Sequence, residues 1–316
     1  MFLGVEIGGT KLQLGVGAGD GSTLVALERR DIDPAAGAAG IRGQILHVGR
    51  ELIAAYPVER IGIGFGGPVF GDRGLVQTSH QITGWTGFPL TDWCASQLGR
   101  PARLGNDCDC AALAESCFGA GRGTSSLFYV TVGTGIGGGL ILRGRIHGTD
   151  RPAAAEIGHL RPGTGNGPDV EALAAGPAIA ASLRHLAEGL RAPDTNEPAL
   201  ADLLSRCGTQ PETWTTRGIA AAAAAGNPLA RRVYAEAAGI LGWAIAQVIS
   251  LLAPEIVVIG GGVSLAGEEL FFQPVRSAVD RHVFQQLRGT TRIVPASLGE
   301  EVVVHGALAL AAESCQ

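Results

Sequence analysis

Lysine is almost missing from this sequence: of 24 lysine and arginine residues in 316, only Lys11 is lysine. An arginine-for-lysine bias beside alanine and glycine richness follows genome composition, yet it makes a lysine inside a Gly-rich turn conspicuous. Basic excess is missing too. A net charge of −5 leaves no footprint for nucleic acid or an anionic membrane surface. No basic n-region or cleavage site precedes the first strand-like residues, and no apolar run free of charges and turns reaches the ~18–20 residues of a membrane span. The six cysteines lack the spacing of a disulfide framework, which predicts reduced thiols. These absences together predict a soluble, cytoplasmic protein. No linker or low-complexity stretch divides the chain.

What is present is apolar and rich in turns. Hydrophobic residues make up 46% and charged residues 17%, enough for a sizeable core in one large domain or two of ordinary size. The 49 glycines fall between periodic apolar segments, so they mark tight turns rather than disorder. The opening reads as strand Leu3–Ile7, turn Gly8–Lys11, a strand over Leu12, Leu14 and Val16, and a third strand Thr23–Leu27. A helix over Ile41–Tyr56 and a strand from Ile61 into Gly66-Gly67 follow. A short helix then ends at Gly99. The second half repeats the opening, with strand Ser126–Val132, turn Gly133–Gly139 and strand Leu140–Leu142. Residues 177–252 read as helices broken near 191–198, 208–215 and 226–228. Strands Glu255–Ile259 and Thr291–Pro295 flank a helix over Leu270–Val283, and Val302–Glu313 closes the chain as a helix. Two halves that open alike predict a duplicated α/β unit.

The pivot is Asn106-Asp-Cys-Asp-Cys-Ala-Ala-Leu-Ala-Glu115, where an apolar strand hands over to a helix. An α/β fold binds ligands at such points, and Asn or Asp also suits an N-cap, so capping alone explains Asp107 or Asp109 equally well. Gly8-Gly9-Thr10-Lys11 offers converging N–H groups, a hydroxyl and an ammonium to phosphate oxygens; a plain hairpin turn is the alternative. It is not a Walker loop, since no helix follows. Gly133-Thr-Gly-Ile-Gly-Gly138 matches GxGxxG, but the strand-like residues after it withhold the helix a dinucleotide site requires. Gly260–Gly262 ends a buried strand and permits close approach of a ligand or entry into a helix. Glu156, His159 and Glu171 offer two carboxylates and an imidazole to vicinal hydroxyls. They also suggest a metal, although His159 has no Cys or His partner at ligand spacing.

In this order the motifs resemble the ROK family of bacterial sugar kinases and repressors, over essentially the whole chain. The family's DxGGTK resembles Glu6–Lys11, its NDANAAALGE resembles Asn106–Glu115, its EIGH is Glu156–His159, and its closing motif resembles Leu298–Ala311. The resemblance implies an α/β, two-lobed actin-like ATPase (ribonuclease H-like) fold with duplicated domains around a cleft. The lobes would be 1–107 and 108–299, with a final helix at about 300–316 packing back on the first. It implies ATP-dependent phosphorylation of a hexose, glucose at the 6-hydroxyl before fructose, mannose or N-acetylhexosamines. Asp107 would be the base. Asn106, Asp107, Glu156, His159, Glu171 and Gly67 would bind the sugar, and Gly9, Thr10, Lys11, Gly133, Thr134, Gly135, Gly261 and Gly262 would bind ATP. Glu6, standing where the family has Asp, would orient Mg²⁺ through water. The family's CxCGxxGCxE is replaced by Leu160–Val170, which implies no structural zinc and leaves His159 to the sugar. A homodimer is implied as well. A repressor would carry a winged helix-turn-helix ahead of Glu6, so a non-catalytic sugar binder is the lesser expectation.

Overall fold

The structure is a computed structural model that describes residues 1–79, 81–190 and 197–313. The predicted break at 191–198 and the last residues of the predicted closing helix lie partly outside that range. The first part holds strands β1 (Phe2–Ile7), β2 (Lys11–Gly17) and β3 (Ala26–Asp31), helix α1 (Gly37–Ala55) and strand β4 (Arg60–Phe65). Short strands β5 (Val69–Phe70), β6 (Leu75–Val76) and β7 (Phe88–Pro89) form a ribbon before α2 (Leu90–Leu98), β8 (Ala102–Asn106) and α3 (Asp107–Cys117). The main sheet here runs β3-β2-β1-β4-β8. Strands β1 and β2 are antiparallel, with Glu6 opposite Gln13, while β4 runs parallel to both β1 and β8.

The second part holds β9 (Ser126–Val132), β10 (Ile136–Leu142) and β11 (Arg145–Ile146), then α4 (Val170–Ala174), α5 (Gly176–Gly189), α6 (Pro198–Cys207) and α7 (Thr216–Ala224). Helix α8 (Pro228–Leu252), β12 (Ile256–Gly260), α9 (Gln273–His282) and β13 (Arg292–Pro295) complete it, and α10 (Val302–Ala312) follows. Its sheet runs β11-β10-β9-β12-β13. By contact the chain forms two compact units: residues 1–129, 138–155 and 296–316, and residues 130–137 and 156–295.

Within the first unit, α10 packs on α3, β1 and β4. It lies backbone to backbone with its neighbours. A Cβ on Gly306 would sit 1.8 Å from the Cys110 carbonyl oxygen, and one on Gly62 1.8 Å from that of Ala307. That close approach places α3 in this unit. At its far end α3 is locked by Glu115, wholly buried, whose carboxylate accepts from the N–H groups of Ala120, Ser297 and Leu298 and from the Ser297 hydroxyl.

Three expectations change. The third strand is Ala26–Asp31 rather than Thr23–Leu27. It is an edge strand, and its charged Glu28-Arg-Arg-Asp31 hid it because edges carry charge where central strands do not. The second Gly-rich turn is only Gly133–Gly135, because Gly137–Gly139 belong to β10. A Cβ on Gly139 would lie 2.6 Å from the Cys108 carbonyl oxygen, so glycine lets that strand approach α3. The strand continues where a dinucleotide fold would start a helix. Third, Cys117 is disulfide-bonded while Cys94, Cys108, Cys110 and Cys207 are free, so the thiols are not uniformly reduced.

By length and composition alone helix α8 is long and apolar enough to cross a membrane, although Arg231, Arg232 and Glu236 interrupt it. It is built as a core helix, burying Val233, Leu241, Ile245 and Ile249 and packing on α4, α5, α7 and α9.

Candidate active site

In the first unit the site grows from the β8–α3 junction. The N-cap is Asn106, whose Oδ1 accepts from Cys108 N–H at 2.8 Å and Asp109 N–H at 3.3 Å. Capping therefore falls to Asn106, and Asp107 is the first helical residue. The Asn106 amide donates to the Gly67 carbonyl at 3.1 Å. That bond binds the loop after β4 to the start of α3. Gly66 lies beside the Asp107 carboxylate, where a Cβ would be 3.4 Å from Oδ2, an ordinary van der Waals contact. Asp107 Oδ1 accepts from Cys108 N–H at 2.9 Å.

The turn between β1 and β2 closes through Gly8 N–H to the Lys11 carbonyl at 3.0 Å, with Thr10 exposed. Lys11 Nζ lies 3.6 Å from Glu6 Oε1. Burial pushes the Glu6 carboxyl up, against the pull of Lys11 and of the hydrogen bond from Gln13. Among the described residues, no three His, Cys, Asp or Glu side chains gather as a protein-enclosed ion would require. Mg²⁺ commonly keeps its waters and uses one or two carboxylates with substrate phosphates. A single, mostly buried carboxylate beside a Gly-rich turn fits that habit.

The second unit holds the other assigned residues. Gly133 and Thr134, with Gly262, line a cavity of about 800 Å³. Gly261, at φ 88°, lies so close to β9 that a Cβ would be 2.4 Å from the Val132 carbonyl oxygen. Glycine there lets the turn after β12 press on the end of β9 and open beside Gly133. The Gly133 turn is anchored at both ends by one segment. Glu171 Oε2 accepts from Ile136 N–H at 2.7 Å, and Gly133's carbonyl accepts from Gly176 N–H at 2.8 Å. A Cβ on Gly135 would fall 2.6 Å from Glu171 Oε2.

His159 ends a short 3-10 turn beginning at Ile157, and its Nδ1 is 3.2 Å from Asp169 Oδ2. That bond raises the imidazole's pKa; burial opposes it, and the charges of Glu156, Asp169 and Glu171 add to it.

The model of the ROK family matches residues 2–314. The chain belongs to the ROK family. It is 31% identical to a glucokinase of Thermotoga maritima, covering 99% of this chain and 97% of that protein. It is 29% identical to a putative fructokinase of Bacillus subtilis over 100% and 97% of the two chains. Among solved structures it resembles a ROK family glucokinase from Streptomyces griseus, in complex with glucose and AMPPNP, at TM-score 0.83 and 30% identity over 99% of both chains. The fold is thus that of ROK sugar kinases, the actin-like two-lobed α/β architecture.

Sequence reasoning missed several neighbours of this ROK protein's motif residues. Asp169 stands in the shortened stretch before Glu171, where only the lost cysteines drew notice. Arg184 and Arg217 carry charge into the cavity wall, and Tyr234 closes it with its hydroxyl donating to the Thr216 carbonyl at 3.2 Å. They sit on α5, α7 and α8, and no local pattern marks them.

The Asp169–His159 pair makes a pH prediction. The folded pKa of His159 is raised, so its contribution to stability is full below the unfolded value of about 6.5 and is lost as pH rises through the folded value. In Asp169→Asn the imidazole midpoint, followed by NMR, falls toward that ordinary value. An unmoved midpoint would assign the shift to Glu156 and Glu171 instead. The His159 side chain is too open for this to be a large stability term.

Proposed function

We propose that this chain transfers the γ-phosphoryl group of Mg·ATP to the 6-hydroxyl of a hexose, glucose first among the candidates. The observation that carries the reading is Asp107 itself. It is the first residue of a helix capped by its own neighbour, with its carboxylate beside the Gly66-Gly67 loop that Asn106 ties to the helix start. Family membership and similarity to glucokinases support the rest.

In this reading Asp107 accepts the proton of the attacking hydroxyl as the new P–O bond forms and ADP leaves. Asn106 orients that carboxylate and the Gly67 loop, so its first task is positioning. Glu156, His159 and Glu171 bind the remaining sugar hydroxyls. Gly9, Thr10 and Lys11, like Gly133, Thr134 and Gly135, are assigned to phosphate oxygens. The 800 Å³ cavity is of nucleotide size. Its exposed Leu265 offers an apolar surface to a base, and Gly261 and Gly262 allow close approach. Bound with the nucleotide, Mg²⁺ neutralises phosphate charge, and Glu6 would hold it through water.

The test is ADP release with Mg·ATP against a panel of hexoses and N-acetylhexosamines, with polyphosphate as a parallel donor. Turnover is expected with glucose and ATP. Turnover with another sugar alone would replace glucose in this reading, and absence of turnover with every sugar would remove the kinase activity.

A further inference from the structure

Glu6, Gln13 and Arg29 face one another across three neighbouring strands. They are register partners, Glu6 opposite Gln13 between β1 and β2, and Gln13 opposite Arg29 between β2 and β3, so their side chains share one face of the sheet. Gln13 is wholly buried. Its Nε2 donates to Glu6 Oε2 at 2.5 Å and to the Glu300 carbonyl at 3.3 Å, and its Oε1 accepts from Arg29 Nε at 2.7 Å. Arg29 Nη2 donates in turn to Glu301 Oε1 at 2.8 Å, at the mouth of α10.

The network leaves the amide one orientation. Turned over, its oxygen would face the Glu6 carboxylate and its NH₂ would face the Arg29 N–H, two repulsions in a buried place. Gln13 thus holds one chosen oxygen of Glu6. Oε2 is tied back to the sheet and Oε1 is left on the Lys11 side, at 3.6 Å from Nζ. The extra methylene of a glutamate would otherwise let this carboxylate swing among several rotamers.

We propose that Gln13 is a positioning residue for Glu6, fixing by a three-strand polar ladder the carboxylate oxygen that meets the hydrated Mg²⁺ of the nucleotide. The proposal rests on the assignment of Glu6 to that ion. Its consequence is that Gln13 matters to the metal because residue 6 is Glu; a shorter Asp would reach no such tether and would require none.

The experiment is calorimetric titration of ADP into the full chain at a series of Mg²⁺ concentrations, for wild type, Gln13→Met, Glu6→Asp and Glu6→Asp/Gln13→Met. Gln13→Asn, polar but too short to reach Glu6, serves where the Met variant fails to fold. Removing a residue that orients a metal's carboxylate raises the Mg²⁺ concentration for half-maximal ADP affinity about 10-fold. In the Glu6→Asp background the same substitution has little effect. Coupled assays should place the change in Mg²⁺ dependence, with sugar KM unmoved. A variant that only melts earlier, with wild-type Mg²⁺ dependence, overturns the proposal and leaves Gln13 a structural residue. An equal penalty in both backgrounds overturns it too. ADP binding indifferent to Mg²⁺ in the wild type would instead remove the role of Glu6, and the proposal with it.

Discussion

Asp107→Asn lowers turnover about 10²–10⁴-fold while hexose affinity stays within a small factor. The substitution is isosteric. An asparagine oxygen can still accept from Cys108 N–H, the bond that Asp107 Oδ1 makes at 2.9 Å, so the start of α3 keeps its geometry. What disappears is a group able to take a proton at neutral pH. The helix N-terminus makes this position well suited to an anion, so the loss falls on the transition state rather than on folding. The measurement is a coupled ADP assay beside titration of the sugar by calorimetry. Loss of both turnover and sugar binding would make Asp107 chiefly a ligand. Near-normal turnover would take the base role away from it.

Glu115→Ala destabilises the first unit by about 4 kcal/mol or more. The carboxylate is wholly buried and receives four hydrogen bonds, three of them from backbone N–H groups. Each bond to a charged group is worth about 1.5–3 kcal/mol, and an unsatisfied buried N–H costs a further ~1–3 kcal/mol, partly offset where water enters the cavity. Alanine's better helix propensity returns only a few tenths of a kcal/mol. For a chain of this size the loss lowers Tm by roughly 8 °C or more. Glu115→Gln should fall between, since its one amide oxygen can keep Ser297 and Leu298 while its NH₂ faces the Ala120 N–H. Calorimetric melting separates the three. A wild-type Tm in Glu115→Ala would mean that water replaces the carboxylate fully.

Both residues lie in one ten-residue stretch whose capped start was legible and whose buried end was not. Asn106-Asp107 announces itself because a strand, a capping side chain and a helix follow one another in sequence. Glu115 looked like a lone charge on an apolar helix, since its partners Ser297 and Leu298 are some 180 residues away. The same division runs through the site. The Gly8–Lys11 turn, the strand into Gly66-Gly67 and a Gly-rich turn opening at Gly133 could be read because backbone freedom and alternation act over a few residues.

The sequence by itself therefore determined the fold class, the family motifs in their order and the strand-to-helix junction at the start of α3, from which Asp107 is proposed as the base. Tertiary structure alone decided which side chains attend them: Gln13 on Glu6 and Arg29 on Gln13, Glu171 on the Gly133 turn, Asp169 on His159, and glycine at positions 62 and 306 so that α10 can touch its neighbours. The physical reason is range. Periodicity, capping and turn chemistry are set by neighbours along the chain, whereas a buried hydrogen bond or a close backbone contact depends on groups that only folding brings within about 3 Å.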